Sequence, residues 1–269
     1  MKRHYAGAAL ALTISACSAC SISTQQEVEM GTEYAQQLNA QLPLVQDPEV
    51  VRYINVLGDS IARLADDRNL EWNFYIVDAP EVNAFAVPGG YVYVNRGLVE
   101  RTDNLAQLAG VLGHEIAHVT ERHSAEQMEK AQRANVGVTL ACILTSICQN
   151  EAASAAIQIG GAAVFANFSR DDEREADAHA IQNVIRAGIH PDGIPQMFEK
   201  LLAERSRNSG AVDSWFSTHP LEEERIAETR AAIDAIQPII LEGLTRNTTS
   251  YQQFQRRLSS LPRTQASGR

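Results

Sequence analysis

The stretch Leu105-Ala106-Gln107-Leu108-Ala109-Gly110-Val111-Leu112-Gly113-His114-Glu115-Ile116-Ala117-His118-Val119 decides the fold. Leu105, Leu108, Val111, Leu112, Ile116 and Val119 return at helical spacing, so the segment predicts an apolar helix set into a core. Thr102 or Asp103 is its predicted N-cap, and it is expected to run to about Ala134. Polar residues in such a helix need a reason. His114 and His118 are one turn apart, so both imidazoles project from one face and can offer two nitrogens to one Zn²⁺. Glu115 lies beside them and is placed to act as general base. The bland alternative, two surface histidines flanking a helix glutamate, fits the apolar setting poorly.

A catalytic zinc needs a third protein ligand. One motif class supplies a histidine six residues after the second and a glycine three after it. Those positions hold Ser124 and Glu121, so that pattern fails. His123 is offset from the His114/His118 face and is expected on the helix surface or as a support. Another class draws a glutamate from a later helix, and Ser169-Arg170-Asp171-Asp172-Glu173-Arg174-Glu175-Ala176-Asp177 offers one. Glu173 and Asp177 share a face four residues apart. Glu173 can ligate zinc while Asp177 accepts the Nδ1 proton of a ligand histidine, His114 in this reading. Glu175 points elsewhere, is expected to be solvated, and is the alternative ligand.

Outward from these helices the pattern changes. Residues 72–77, 83–87 and 91–94 predict short strands, with Pro88-Gly89-Gly90 as the turn between the last two. Asn83, Ala84 and Phe85 lie between a strand and that turn, so they predict an edge to which an extended peptide can add. Helices are predicted over 25–42, 48–64, 169–185, 195–205 and 221–236. Residues 136–168 are rich in small residues and predict two short helices, read either as tight packing or as a mobile cover. Cys142 and Cys148 would lie about 9 Å apart in a continuous helix, beyond the roughly 7 Å reach of a disulfide. Tyr251, Phe254, Leu258 and Leu261 mark one face of a C-terminal arm expected to dock on the domain.

The first residues read as an export signal. Lys2 and Arg3 precede a short apolar run, and Ile14-Ser15-Ala16-Cys17 resembles a lipobox, with Cys17 as the lipidated residue and Cys20 the runner-up. The organisation expected is a signal peptide at 1–16 that is removed, a tether and helix at 17–47, a catalytic domain at 48–236 and a polar helical arm at 237–269. The chain has 269 residues and a formal charge of -10. An acidic surface speaks against nucleic acid, whose phosphates demand clustered Lys and Arg.

The set H-E-x-x-H, then S-R-x-x-E-x-E-A-D, then Thr218-His219-Pro220 resembles the gluzincin family M48 of zinc metallopeptidases. Asn83-Ala84-Phe85-Ala86 and Gly89-Gly90-Tyr91 fit the same resemblance. It implies an α+β fold, mainly helical, with a small sheet beside the H-E-x-x-H helix. It selects Glu173 as the third ligand and implies one Zn²⁺ per chain. It makes His219 a site residue, either a fourth ligand that holds the enzyme off or an oxyanion stabiliser, with Arg225 as a support nearby. It also implies an endopeptidase of the bacterial envelope that degrades misfolded or misassembled proteins. Its expected place is the periplasmic side of the outer membrane, held by a lipid anchor, with outer-membrane assembly machinery as a partner. The rival reading is a non-enzymatic assembly or chaperone lipoprotein with a structural zinc.

Overall fold

A computed structural model describes residues 22–133, 168–207, 210, 212–220 and 223–263. The lipobox with Cys17 and Cys20, the expected helix pair before Phe168, and Cys142 with Cys148 lie outside the described residues.

The order along the chain is α1 (Thr24–Gln41), α2 (Pro48–Ala65), β1 (Asn73–Val77), β2 (Ala84–Val87), β3 (Tyr91–Asn95), α3 (Arg96–Val99), α4 (Leu105–Thr120) and α5 (His123–Arg133). There follow α6 (Arg170–Arg186), α7 (Gly193–Arg207), α8 (Asp213–Thr218), α9 (Glu223–Asp234), α10 (Pro238–Leu241) and α11 (Thr249–Ser260). The fold is α+β and mainly helical, as expected. No helix among the described residues is long and apolar enough to cross a membrane.

The three strands pair in the order β1-β3-β2, parallel between β1 and β3 and antiparallel between β2 and β3. Side chains alternate between the sheet's faces. Phe74, Ile76, Ala84, Val92 and Val94 enter the main core with α2 and α4. Phe85, Val87 and Tyr93 face α1 and pack with its Leu38. On that face Tyr75, Tyr93 and Phe85 form a stacked row, with successive ring centres 4.9 Å apart. The Gly89-Gly90 turn has φ of 85° and 101°, values that side chains with a Cβ rarely adopt.

The sheet's two edges differ. On β1, Phe74 N–H donates to Asn55 Oδ1 at 3.0 Å and Asn55 Nδ2 donates to Phe74 O at 2.9 Å. Val45 N–H adds a bond to Ile76 O at 2.9 Å. That edge is therefore closed by a side chain and a neighbouring segment. Among the described residues no backbone pairs with the outer edge of β2, which lies against α4.

Helix α4 lies at the centre, packed by α6, α2, α7 and β2, and it is buried from Leu105 to Val119. Its cap is Asn104, whose Oδ1 accepts Gln107 N–H at 3.1 Å, one residue beyond the expected Thr102 or Asp103. Gly113 sets the approach of α6: a Cβ there would sit 3.1 Å from Val184 Cγ1. That closeness brings Glu173 and Asp177 over His114.

The single helix expected to reach Ala134 is two. Arg122 adopts φ 63°, a left-handed conformation that ends α4 and costs a non-glycine residue free energy. The break is held from outside. Buried Glu27 of α1 accepts Arg122 Nε at 2.8 Å and Arg68 Nη1 at 3.0 Å, and Arg68 Nη2 donates to Val119 O at 2.6 Å. The Val119 carbonyl, which also accepts Arg122 N–H at 3.1 Å, thereby gains a second donor that pins the turn.

The C-terminal arm docks through Tyr251, Phe254 and Leu258, all buried in the main core. Phe254 stacks on Tyr53 of α2 with ring centres 4.4 Å apart.

Candidate metal centre

His114, His118, Glu173 and His219 bring one donor atom each to a single buried point. His114 Nε2 is 3.0 Å from His118 Nε2 and 3.3 Å from His219 Nδ1. Glu173 Oε1 is 3.0 Å from His219 Nδ1 and 3.4 Å from His118 Nε2, and its Oε2 is 3.5 Å from His114 Nε2. A tetrahedral zinc with bonds of about 2.0–2.1 Å separates its donors by about 3.3–3.4 Å. The donors present thus fit zinc in type, number and spacing. With the Nδ1 protons turned to Asp177 and His123, the His114 and His118 Nε2 lone pairs face each other at 3.0 Å, an arrangement that a cation between them satisfies.

Each group is held by its own element. Ser169 caps α6, its Oγ accepting Asp172 N–H at 3.1 Å. Asp171, Asp172 and Glu173 then lie in the first turn, where the helix dipole favours negative charge. His219 follows α8 directly and donates its N–H to Trp215 O at 2.8 Å, so it closes the turn that ends that helix. Its ring stacks on Trp215 with centres 4.7 Å apart.

A ring of supports surrounds the donors. Asp177 Oδ1 is 2.9 Å from His114 Nδ1, close but off the N–H axis, since Nδ1 makes no aligned hydrogen bond. Arg225 is 3% exposed. Its Nε and Nη2 donate to both Asp177 oxygens at 2.8 Å, and its Nη1 donates to Glu173 Oε2 at 2.5 Å and Pro220 O at 2.8 Å. One guanidinium thus ties the two carboxylates to the segment that carries His219.

Sequence reading placed His123 on a helix surface or as a support. The break at Arg122 makes it a buried support: its Nδ1 is 2.8 Å from His118 Nδ1, and its Nε2 is 3.3 Å from Glu175 Oε2. A proton on His123 Nε2, turned towards Glu175, leaves Nδ1 to accept from His118. The His118 Nε2 lone pair is then aimed at the centre. Glu175 keeps a half-exposed side chain. Phe168 stacks on His118 with centres 3.7 Å apart, and Phe198 stands edge-on to His114 and beneath Arg225. Nothing in the spacing of Phe168, Phe198 or Trp215 marks them as site residues.

Glu115 is 1% exposed, and neither of its oxygens makes an aligned hydrogen bond. His219 Nε2 stands 3.4 Å from its Oε1. Burial pushes the Glu115 carboxyl above the usual range, against the pull of the His219 and His114 imidazoles. Burial opposes the charge on Glu173 too, but the three imidazoles hold it well below the usual range. Burial would lower His114, but Asp177 and Glu173 outweigh it and raise it to about 10. His118 goes the other way, pushed well down by burial. The centre therefore contains one firmly ionised carboxylate among the imidazoles and a second that resists ionisation.

Asn83, Ala84 and Phe85 are buried beside this centre. Asn95 N–H donates to Asn83 O at 2.9 Å, and the antiparallel register then turns the backbone groups of Ala84 and Ala86 towards the free edge. The Ala86 amide faces the Glu115 carboxylate.

The comparisons agree with this arrangement. The beta-barrel assembly-enhancing protease of Escherichia coli is 36% identical over 230 residues, covering 83% of this chain and 47% of that protein. The metalloprotease LoiP of Escherichia coli is 27% identical over 222 residues, covering 82% of this chain and 85% of LoiP. The mitochondrial metalloendopeptidase OMA1 of Schizosaccharomyces pombe is 28% identical over 174 residues, covering 65% of this chain and 50% of that protein. The chain spans about half the length of the beta-barrel assembly-enhancing proteases that it matches. A family model whose members use zinc matches residues 48–233, a span that holds every donor described above, and by that match the chain belongs to peptidase family M48.

Proposed function

We propose that the chain is a zinc-dependent metalloendopeptidase of the bacterial envelope, with His114, His118 and Glu173 as ligands and Glu115 as general base. The observation that carries this reading is the set of mutually adjacent donors with an unpaired buried carboxylate beside it. Zinc, when bound, supplies Lewis-acid polarisation of the scissile carbonyl. Glu115 takes the proton of the attacking water and returns it to the leaving amine, a task suited to a carboxyl raised by burial. Asp177 and Arg225 hold the ligands in place. The outer edge of β2, at Asn83, Ala84 and Phe85, receives an extended peptide as an added strand. His219 acts as a switch: its Nδ1 occupies the fourth donor position and its Nε2 faces the base.

The name of the beta-barrel assembly-enhancing proteases supports misassembled outer-membrane proteins as substrates and the outer-membrane assembly machinery as a partner. Lipid attachment at Cys17 would hold the enzyme on the periplasmic side of that membrane. The rival reading, an assembly lipoprotein with a structural zinc, is favoured by one observation, the closed set of four donors that His219 completes.

Casein cleavage by wild type and by Glu115→Gln, each with a zinc assay, separates the two. The peptidase reading expects Glu115→Gln to keep zinc and lose about 10²–10⁴-fold in rate. Equal rates for the two proteins would overturn it.

A further inference from the structure

We propose that Glu121, Glu175 and His179 form a second, weaker site for a divalent transition ion such as zinc, coupled to the first through His123. Glu175 and His179 are one turn apart on α6, so their side chains leave the helix on one face. Glu121, the residue that ends α4, meets them from the opposite side, its Oε1 3.1 Å from His179 Nδ1. One donor atom from each lies within 4.8 Å of the others. The bonds to zinc need only a small closure from there, and the side chains are free to make it, being 26%, 54% and 37% exposed for Glu121, Glu175 and His179.

The donor chemistry selects the ion. One imidazole and two carboxylates suit zinc and its neighbours, whereas calcium prefers a shell of oxygens. The electrostatics call for a cation. Glu121 sits at the C-terminus of α4, where the helix dipole is already negative, and Glu175 faces it. Among the described residues neither carboxylate is paired with Arg or Lys.

Coupling follows from a shared residue. Glu175 Oε2 also holds His123 Nε2 at 3.3 Å, and His123 Nδ1 faces His118 Nδ1 at 2.8 Å. An ion that claims Glu175 releases His123 and loosens the orientation of His118. Excess zinc should therefore slow the enzyme; this consequence rests on the peptidase reading, whereas the site itself does not.

The test is a zinc titration of the full chain carrying Glu115→Gln to prevent self-cleavage, with bound metal counted by mass spectrometry. The expected result is two equivalents, the second weaker. Added His179→Ala or Glu121→Gln should leave one, and retention of that tight equivalent shows that the variant is folded. Calcium should not displace the second ion. A single equivalent in the parent, a second that survives both substitutions, or displacement by calcium would overturn the site. In the active protein, excess zinc should slow cleavage several-fold, and His179→Ala should abolish that slowing. Undiminished slowing in His179→Ala would overturn the coupling. If no cleavage is seen at all, the metal count still decides the site.

Discussion

His219 Nε2 lies 3.4 Å from Glu115 Oε1, while the other nitrogen of the same ring stands among the metal donors. On the peptidase reading, one imidazole thus stands where substrate chemistry would need an open position and also faces the proposed base. Removing it should release both. His219→Ala is expected to raise basal casein cleavage and self-cleavage several-fold. An oxyanion role predicts the opposite, a fall of about 10²-fold or more, so the sign of the change in one rate assay decides, and a fall sinks the switch.

Metal content should follow the geometry of α6. Glu173 is fully buried and touches three imidazoles of the buried donor set, whereas Glu175 touches none of them and reaches only their support His123 on that side. Glu173→Ala is expected to lose the tightly bound zinc, and Glu175→Ala to retain it. Asp177→Asn should weaken that zinc by about 10–100-fold, since the amide no longer matches the bidentate Arg225 or the His114 ring. Tight zinc lost from Glu175→Ala and kept by Glu173→Ala, measured by dialysis against a chelator, would move the ligand by two positions.

How much of this was legible in the sequence depends on range. The strands, the apolar helix and the facing of Glu173 and Asp177 are local period, and local period survives folding. The end of α4 was not legible, because no glycine or asparagine stands at Arg122 to mark a left-handed residue. Its cause is Glu27, ninety-five residues away in sequence, and this break decides between the two places expected for His123, support rather than helix surface. The aromatic supports Phe168, Phe198 and Trp215 come from separate segments and meet only in three dimensions. Arg225 was legible only as a neighbour, since its bidentate grip on Asp177 depends on how α9 packs against α6.

Away from the centre, His190 should make stability depend on pH. Its ring is buried, with Nδ1 3.2 Å from Asp192 Oδ2 and Nε2 accepting from Arg246 Nη2 at 2.7 Å. Burial lowers its pKa, and Arg246 adds to this against the pull of Asp192. A lowered value in the folded chain means that the unfolded chain binds more protons as the pH falls. The contribution is fully present above the unfolded value of about 6.5 and is lost as pH drops through it towards the folded value. Between about pH 7.5 and 5.5 the wild type should therefore lose more Tm than His190→Gln. Equal losses in thermal melts would remove His190 from the account.

The last prediction concerns how substrate docks. The edge of β1 is closed by Asn55 and by the segment around Val45, so among the described residues the edge left for an added peptide is that of β2, the strand that lies against α4. Ala86 turns its backbone groups to that side, and its amide faces Glu115. A proline there removes an outward N–H and leaves the β2–β3 ladder its own donors. Ala86→Pro should thus fold and hold zinc while cleaving every protein substrate about tenfold more slowly, the scale of one lost backbone hydrogen bond near its upper limit. Phe85→Pro is the control. Phe85 pairs directly with Tyr93 on the inner side, so that variant should lose the fold rather than the rate alone. An Ala86→Pro protein that is folded, zinc-loaded and fully active would show that substrate does not use this edge.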